Sequence, residues 1–332
     1  MRAVLMKDTG GPEVLNLEEV PAPELKRDTD MLVRIRAAGL NPVDAKQRVR
    51  GTWYPSEPPQ ILGLDGAGVV EQVGSAVTEY KPGDEVLFAE GGMGKSPGNY
   101  AEYNVVDGRF AARKPAPISF EEAAALPCAA VTAWESLFDH GGLEEGGRVL
   151  VHAGAGGVGH LAIQLAKSRG ARVCTTVSTD EKARFVEDLG ADRVIRYREE
   201  DFVQAVLDWT DGSGVEVVLD LVGGETFFRS FGCTAFYGTV VAVLRPDPNL
   251  TDWTEARLRN LRVAWELMLS PMYYGLTDVQ RHHRDILERC ASMMEEGSLR
   301  VHVDQTFPLE RAADAHRMLE EWHTTGKIVL QI

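Results

Sequence analysis

Six residues constrain this chain more than any others. Gly154-Ala155-Gly156-Gly157-Val158-Gly159 spells a full G-x-G-x-x-G directly after the apolar run Val149-Leu150-Val151-His152, and it opens a helical face of Val158, Leu161, Ala162 and Leu165. Glycine at these positions permits a tight turn and lets the backbone approach a pyrophosphate. It also lets the helix pack close on its strand, while the helix start offers free N–H groups and positive dipole. A glycine-rich turn with packing duties alone is the competing reading. The strand-loop-helix context favours dinucleotide binding.

The strand that follows bears on which dinucleotide. An NAD site usually ends that strand with an acid for the ribose 2′-OH. Here Val173 to Val177 ends at Ser178, with Lys182 one helical turn later. A hydroxyl and a mobile ammonium suit a 2′-phosphate, so NADP is favoured over NAD. Two observations pull the other way: Asp180 and Glu181 place negative charge nearby, and Ser178 can be read as a helix N-cap boxed with Glu181, leaving Lys182 a solvated residue.

The β-α alternation continues through Val194-Ile195, Val215 to Leu221 and Thr239 to Leu244, with helices such as Thr179 to Leu189 between. Strands apolar on both faces argue an α/β unit with a doubly wound parallel sheet covered by helices. At 332 residues the chain has room for two domains at about 150 residues each. Residues 1 to about 120 supply the other, in short β-type runs (Leu32-Val33-Arg34-Ile35, Gly68 to Val73) punctuated by turns such as Lys81-Pro82-Gly83-Asp84. After residue 268 the pattern predicts a helix from about Asp285 to Glu296, a strand near Val301-His302-Val303, a helix around Arg311 to Trp322 and a last strand Ile328-Val329-Leu330. Whether this tail stands alone or completes the first unit is open at this level.

Charge narrows the partners. Lys plus Arg is 35 against 50 Asp plus Glu, a net charge of −15, with a pI near 5.0. This field repels nucleic acid and anionic membrane. The longest apolar stretch, Ala123 to Trp134, is broken by Pro127 and too short for a bilayer. Cys128, Cys174, Cys233 and Cys290 are scattered with no C-x-x-C pair, which predicts reduced thiols and a cytoplasmic protein without targeting segment.

The chain also carries Asn41-Pro42-Val43-Asp44, Gly63-Leu64-Asp65-Gly66-Ala67-Gly68-Val69-Val70, Gly98-Asn99-Tyr100-Ala101-Glu102-Tyr103, Thr132-Ala133-Trp134 and Gly326-Lys327-Ile328-Val329-Leu330. With the glycine loop and Lys81 to Asp84, these resemble the medium-chain dehydrogenase/reductase superfamily, in particular its zinc-free, zeta-crystallin-like quinone oxidoreductases. The resemblance implies a GroES-like β-rich catalytic domain from residues 1–123 and 269–332, a Rossmann domain over 124–268, and an active site in the cleft. It also implies a homodimer through an edge strand near 260–266.

Zinc enzymes of the superfamily place ligands at positions that correspond to Asn41, Leu64 and Cys128. Leu64 has no ligand atom, so the resemblance implies no metal and hydride transfer from NADPH to a quinone or an enone. The developing enolate would take hydrogen bonds from Asn41 and Tyr54. The Arg50-Gly51-Thr52-Trp53-Tyr54 segment departs by one residue from the family's R-x-G-x-Y, leaving Trp53 and Tyr54 as rivals for one pocket position. Asp44 and Asp65 match acidic family positions and read as structural or supporting. Implied cofactor contacts are Asn41, Thr132, Gly154, Gly156, Gly157, Val158, Gly159, Ser178, Lys182, Tyr197, Val222, Gly223 and Lys327, with Arg196 in the place of a common Asn. Trp265, Tyr273, Tyr274, Met268 and Met272 could shape an apolar pocket or simply pack. The alternatives kept are a zinc-free alcohol/aldehyde oxidoreductase and a non-enzymatic, crystallin-like NADPH-binding protein.

Overall fold

The computed structural model describes residues 1–54, 59–321 and 323–332. The chain forms two compact units, Met1–Cys128 with Leu269–Ile332, and Ala129–Met268.

In the Ala129–Met268 unit, six strands form a sheet in the order Arg193–Arg196, Arg172–Val177, Arg148–Val151, Val215–Asp220, Thr234–Ala242, Arg262–Trp265. All neighbours are parallel. Chain order reverses direction between Arg148–Val151 and Val215–Asp220, the switch point where ligands of such sheets bind. The central strands are buried on both faces: Val149, Leu150 and Val151 are all fully inaccessible. Leu150, Val218 and Val240 pack on one face with Phe227 and Phe231. Each such side chain contributes about 1.5–3 kcal/mol of burial, which is why the strands read as apolar runs.

In the other unit a seven-stranded sheet runs Val303–Pro308, Lys327–Gln331, Asp30–Gly39, Asp65–Val73, Glu85–Ala89, Ala112–Arg113, with Tyr103–Asp107 also pairing Asp30–Gly39. The tail therefore completes the first unit, with Leu330 opposite Ala38 in antiparallel register. Its helix spans Thr277–Glu295, eight residues longer at the start than the apolar spacing predicts. The reason is His283, a polar residue that takes the first buried position of the stripe continued by Ile286, Leu287, Cys290 and Met294. The tail strand is Val303–Pro308 and not Val301 to Val303, and the last helix is Ala312–Glu320. The expected end of that helix at Trp322 lies outside the described residues. All four cysteines are free thiols. Among the described residues no helix is long and apolar enough to cross a membrane.

Candidate active site

The glycine loop follows the strand Arg148–Val151 and leads into the helix Gly159–Ser168. A Cβ on Gly154 would stand 1.9 Å from Thr175 Oγ1, and one on Gly159 would stand 2.4 Å from the Ala153 carbonyl oxygen. The outer side is different: at Gly156 a Cβ would meet nothing nearer than the Ala153 oxygen at 3.3 Å. The amides of Gly157 and Val158 find no acceptor among the described residues. The loop is thus closed toward the sheet and open, donors outward, on the other side, as an anion cradle requires. Ala153 holds φ +52°, a left-handed conformation at the sharp turn.

Beneath the loop His152 is buried, with Nδ1 3.2 Å from Thr176 Oγ1 and Nε2 3.0 Å from Ser230 Oγ. Burial holds its pKa down to about 3. Unfolded chains protonate histidine near pH 6.5 and the native chain does so only near 3. The wild type therefore loses about 1.4 kcal/mol per pH unit below about 6.5 at this residue. His152→Gln removes that dependence. Denaturant melts at stepped pH should show the wild type losing ground to the variant by this slope, and a pH-independent gap between them would refute the buried neutral ring.

At the end of the next strand, Ser178 is not the helix cap. Thr179 is, accepting a hydrogen bond from Lys182 N at 3.3 Å. The capping-box reading of Ser178 with Glu181 is thereby corrected, because the helix begins one residue later than that reading needs. Arg196 lies opposite Val177 in the neighbouring strand and forms ion pairs with Asp180 and with Glu199, the latter at 2.7 Å. The acid that weighed against a phosphate is therefore compensated. Tyr197 N donates to the Val177 carbonyl at 3.3 Å, and its ring is half exposed. Ser178, Arg196 and Tyr197 thus lie at two adjacent strand ends, with Lys182 in the first turn of the helix Asp180–Asp188.

Across the switch point, Asp220 Oδ1 accepts from the amides of Val222 and Gly223, both at 2.9 Å. Gly223 has φ +73°, and a Cβ there would stand 2.5 Å from the Arg245 oxygen. Thr132 is buried in the helix Pro127–Trp134.

The Met1–Cys128 and Leu269–Ile332 unit holds a second, buried constellation. Asn41 opens the helix Pro42–Arg50, with its amide N donating to Asp44 Oδ2 at 2.9 Å. Its side-chain Nδ2 donates to Asp65 Oδ2 at 2.9 Å, and its Oδ1 accepts from Lys327 Nζ. Lys327 also reaches Asp65 at 3.4 Å, and Cys128 N donates to the other Asp65 oxygen at 2.9 Å. Burial raises the Asp65 carboxyl, while Lys327 and the amide donors pull it back. Leu64 is buried beside this group and Cys128 is partly exposed.

Residues 27–116 match the alcohol dehydrogenase GroES-like domain, and residues 189–330 match the zinc-binding dehydrogenase family. A zinc-type alcohol dehydrogenase-like protein of Staphylococcus aureus is 32% identical over 330 residues, covering 94% of this chain and 92% of its own. The chloroplastic NADPH-dependent alkenal/one oxidoreductase of Arabidopsis thaliana is 36% identical over 341 residues, covering 99% of this chain and 79% of its own. The structure of the Escherichia coli quinone oxidoreductase complexed with NADPH superposes with a TM-score of 0.88 at 32% identity over 100% of both chains. This chain belongs to the medium-chain dehydrogenase/reductase superfamily. It is an oxidoreductase, built from a GroES-like unit and a Rossmann-like unit.

Within this dehydrogenase/reductase, the structure joins Asn41 to Lys327 but not to Tyr54. The Tyr54 hydroxyl points to the carbonyls of Met272 at 2.9 Å and Tyr273 at 2.8 Å, and its ring stacks on Tyr273 at 5.1 Å. Trp53 meets the same Tyr273 edge-on at 5.9 Å, so the two rivals share one neighbour. Burial raises the Tyr54 pKa, keeping the phenol protonated.

Sequence reading missed a further buried relay in the GroES-like unit. Arg48 Nε donates to His316 Nδ1 at 3.3 Å, His316 Nε2 lies 3.2 Å from Tyr100 Oη, and Tyr100 Oη donates to Asp44 Oδ2 at 3.4 Å. Burial pushes Asp44 up to about 7. Arg48 and His316 are 268 positions apart, so no local spacing signals them.

Proposed function

We propose that this chain is an NADPH-dependent reductase of conjugated carbonyls, quinones or α,β-unsaturated ketones and aldehydes, acting without a zinc ion. The observation that carries the reading is the clamp on Asn41. At the three positions where zinc enzymes of the superfamily place ligands, this chain has an amide held by a buried ammonium, a leucine and one cysteine. These residues do not fit zinc: Leu64 offers no donor atom, the Asn41 oxygen is taken by Lys327, and one thiolate leaves the shell incomplete.

The residues do fit NADPH. The open side of Gly154, Gly156, Gly157, Val158 and Gly159 would take the pyrophosphate. Ser178, Lys182 and Tyr197, with Arg196 balancing Asp180, would take the 2′-phosphate. Val222 and Gly223 would line the adenosine half; Thr132 in the same unit, and Asn41 and Lys327 in the GroES-like unit, are the further contacts that the family resemblance implies. When bound, NADPH supplies a hydride to the β-carbon of the conjugated carbonyl.

Charge then gathers on the carbonyl oxygen, and the chain must meet it with donors. Lys327 fixes the orientation of Asn41 by holding its oxygen, and Asp65 takes one of its two amide protons. The other is free to face the oxyanion. Tyr54 is the second donor once its hydroxyl turns from the Met272 and Tyr273 carbonyls.

Two measurements test this reading. An NADPH-oxidation screen over quinones, enones, enals and saturated aldehydes should show turnover of the conjugated substrates, unchanged after dialysis against a chelator and in Cys128→Ser. Turnover lost to chelation and restored by Zn²⁺ would defeat it. Lys182→Ala should weaken NADPH binding by about 1–3 kcal/mol, the range of a charge-assisted hydrogen bond, and leave NADH almost untouched. Equal losses for both cofactors would remove the phosphate assignment.

Among the described residues the edge strand Arg262–Trp265 pairs on one side only, with Thr234–Ala242, and Trp265 is more than half exposed. An open edge of this kind pairs readily, which supports a homodimer through residues 260–266. Light scattering should return twice 36.4 kDa, and the monomer mass would overturn the assignment.

A further inference from the structure

The helix that begins at Pro127 does not end as an α-helix. Over Glu135–His140 it widens into a single π turn. At 3.6 residues per turn, positions five apart would diverge by about 140°. The i→i+5 winding turns them toward one side, and π turns of this kind concentrate at functional sites. Here it brings the carboxylate of Glu135 and the ring of His140 to Glu266, the residue just past the carboxyl end of Arg262–Trp265. One ligand atom from each of the three lies within 4.8 Å of the others.

Glu266 is the group that asks for a ligand. Its side chain is 1% exposed. Among the described residues no well-aligned hydrogen bond reaches either carboxylate oxygen, although His140 Nε2 stands 3.0 Å from Oε2. Two carboxylates and one imidazole converge here, and among the described residues the Glu266 oxygens are the ones left without a well-aligned donor. An ionised, unsatisfied buried carboxylate is expensive. Burial accordingly pushes Glu266 up to about 7, against the pull of His140.

We propose that Glu135, His140 and Glu266 form a binding site for a divalent cation of the zinc class, which cross-links the π turn to the end of the edge strand. Two carboxylate oxygens and one imidazole nitrogen supply three ligands and leave a fourth position open, a set suited to Zn²⁺ at 2.0–2.2 Å. At those bond lengths tetrahedral ligand atoms stand roughly 3.4 Å apart, so His140 Nε2 and Glu266 Oε2, 3.0 Å apart, would open slightly and wider pairs would close. Two negative carboxylates neutralise the ion, and the His140 ring, 40% exposed, gives it a way in. Binding expels the protons that the cluster holds, so affinity rises with pH.

The test uses the purified full-length protein after dialysis against a chelator. Calorimetric titration with zinc chloride should give one site per chain and a raised Tm. His140→Ala should weaken that binding by more than the roughly tenfold that loss of even an outer-shell partner costs, and Glu266→Gln should abolish it. Cys128→Ser should bind as the wild type does. Cobalt(II) loading should give visible d–d absorption without a thiolate charge-transfer band. If Glu266→Gln does not fold, His140→Ala decides, because that ring is at the surface. Equal zinc binding by wild type and His140→Ala overturns the proposal. So does a wild type that takes up no zinc, which would leave the cluster a proton-sharing carboxyl pair. Neither result bears on residues 41, 64 and 128, whose test is the chelator dependence of turnover.

Discussion

Asp65→Ala is expected to cost about 3–5 kcal/mol of stability, the loss typical of a buried ion pair broken from one side. Asp65 is fully buried and accepts from Asn41, Lys327 and the Cys128 amide. Without it the Lys327 ammonium is left with the Asn41 oxygen alone, in a site with little access to water. Lys327→Met is the informative partner, since Asp65 keeps two of its donors. Its cost should be the smaller, and the double variant should recover part of the loss by removing both charges. Chemical denaturation of the four proteins measures this. Additive costs, with Asp65→Ala below about 1 kcal/mol, would place the pair among exposed bridges of little weight.

Asn41→Ala is expected to lower turnover on a conjugated substrate by about a hundredfold or more, corresponding to about 2.7–4 kcal/mol of transition-state stabilisation from one preorganised donor. The affinity for NADPH should change far less, because a donor used only as charge develops shows in kcat and not in uniform binding. Tyr54→Phe deletes a hydroxyl and keeps the ring that stacks on Tyr273, so the fold should survive. If Tyr54 is the second donor its turnover falls with NADPH binding intact. Full turnover in both variants would remove the proposed donors and point to Trp53. Lys327→Met adds a discriminating result: as a positioning residue it should lower kcat with Asn41 still present, by freeing the amide to rotate.

The parts of this protein that were legible in its sequence are those whose physics is local. The glycine loop is one, because Gly154 and Gly159 answer to Thr175 on the next strand and to the Ala153 carbonyl, all within one strand-helix-strand unit. The parallel sheet is another, since strands buried on both faces carry unbroken apolar runs. Where a polar residue took a core position, as His283 does in the helix Thr277–Glu295, the periodicity broke and the boundary was misplaced. The competing cap reading of Ser178 failed for a related reason: Ser and Thr are both cap formers, and the backbone turn chose Thr179.

The residue types at positions 41, 64 and 128 were determined by sequence alone. What holds those residues was decided by tertiary structure. Lys327 meets Asn41 across 286 positions, and Arg48 meets His316 across 268, because the last strand returns to pair with Asp30–Gly39. Nothing in the spacing of a chain records which distant charge will be buried beside which amide. That pairing is settled when the sheet closes and leaves each buried polar group only the partners within reach. The π turn that draws Glu135 and His140 to Glu266 was decided in the same way. By sequence the two residues five apart fall on different faces of an α-helix, and only the wound backbone puts them on one.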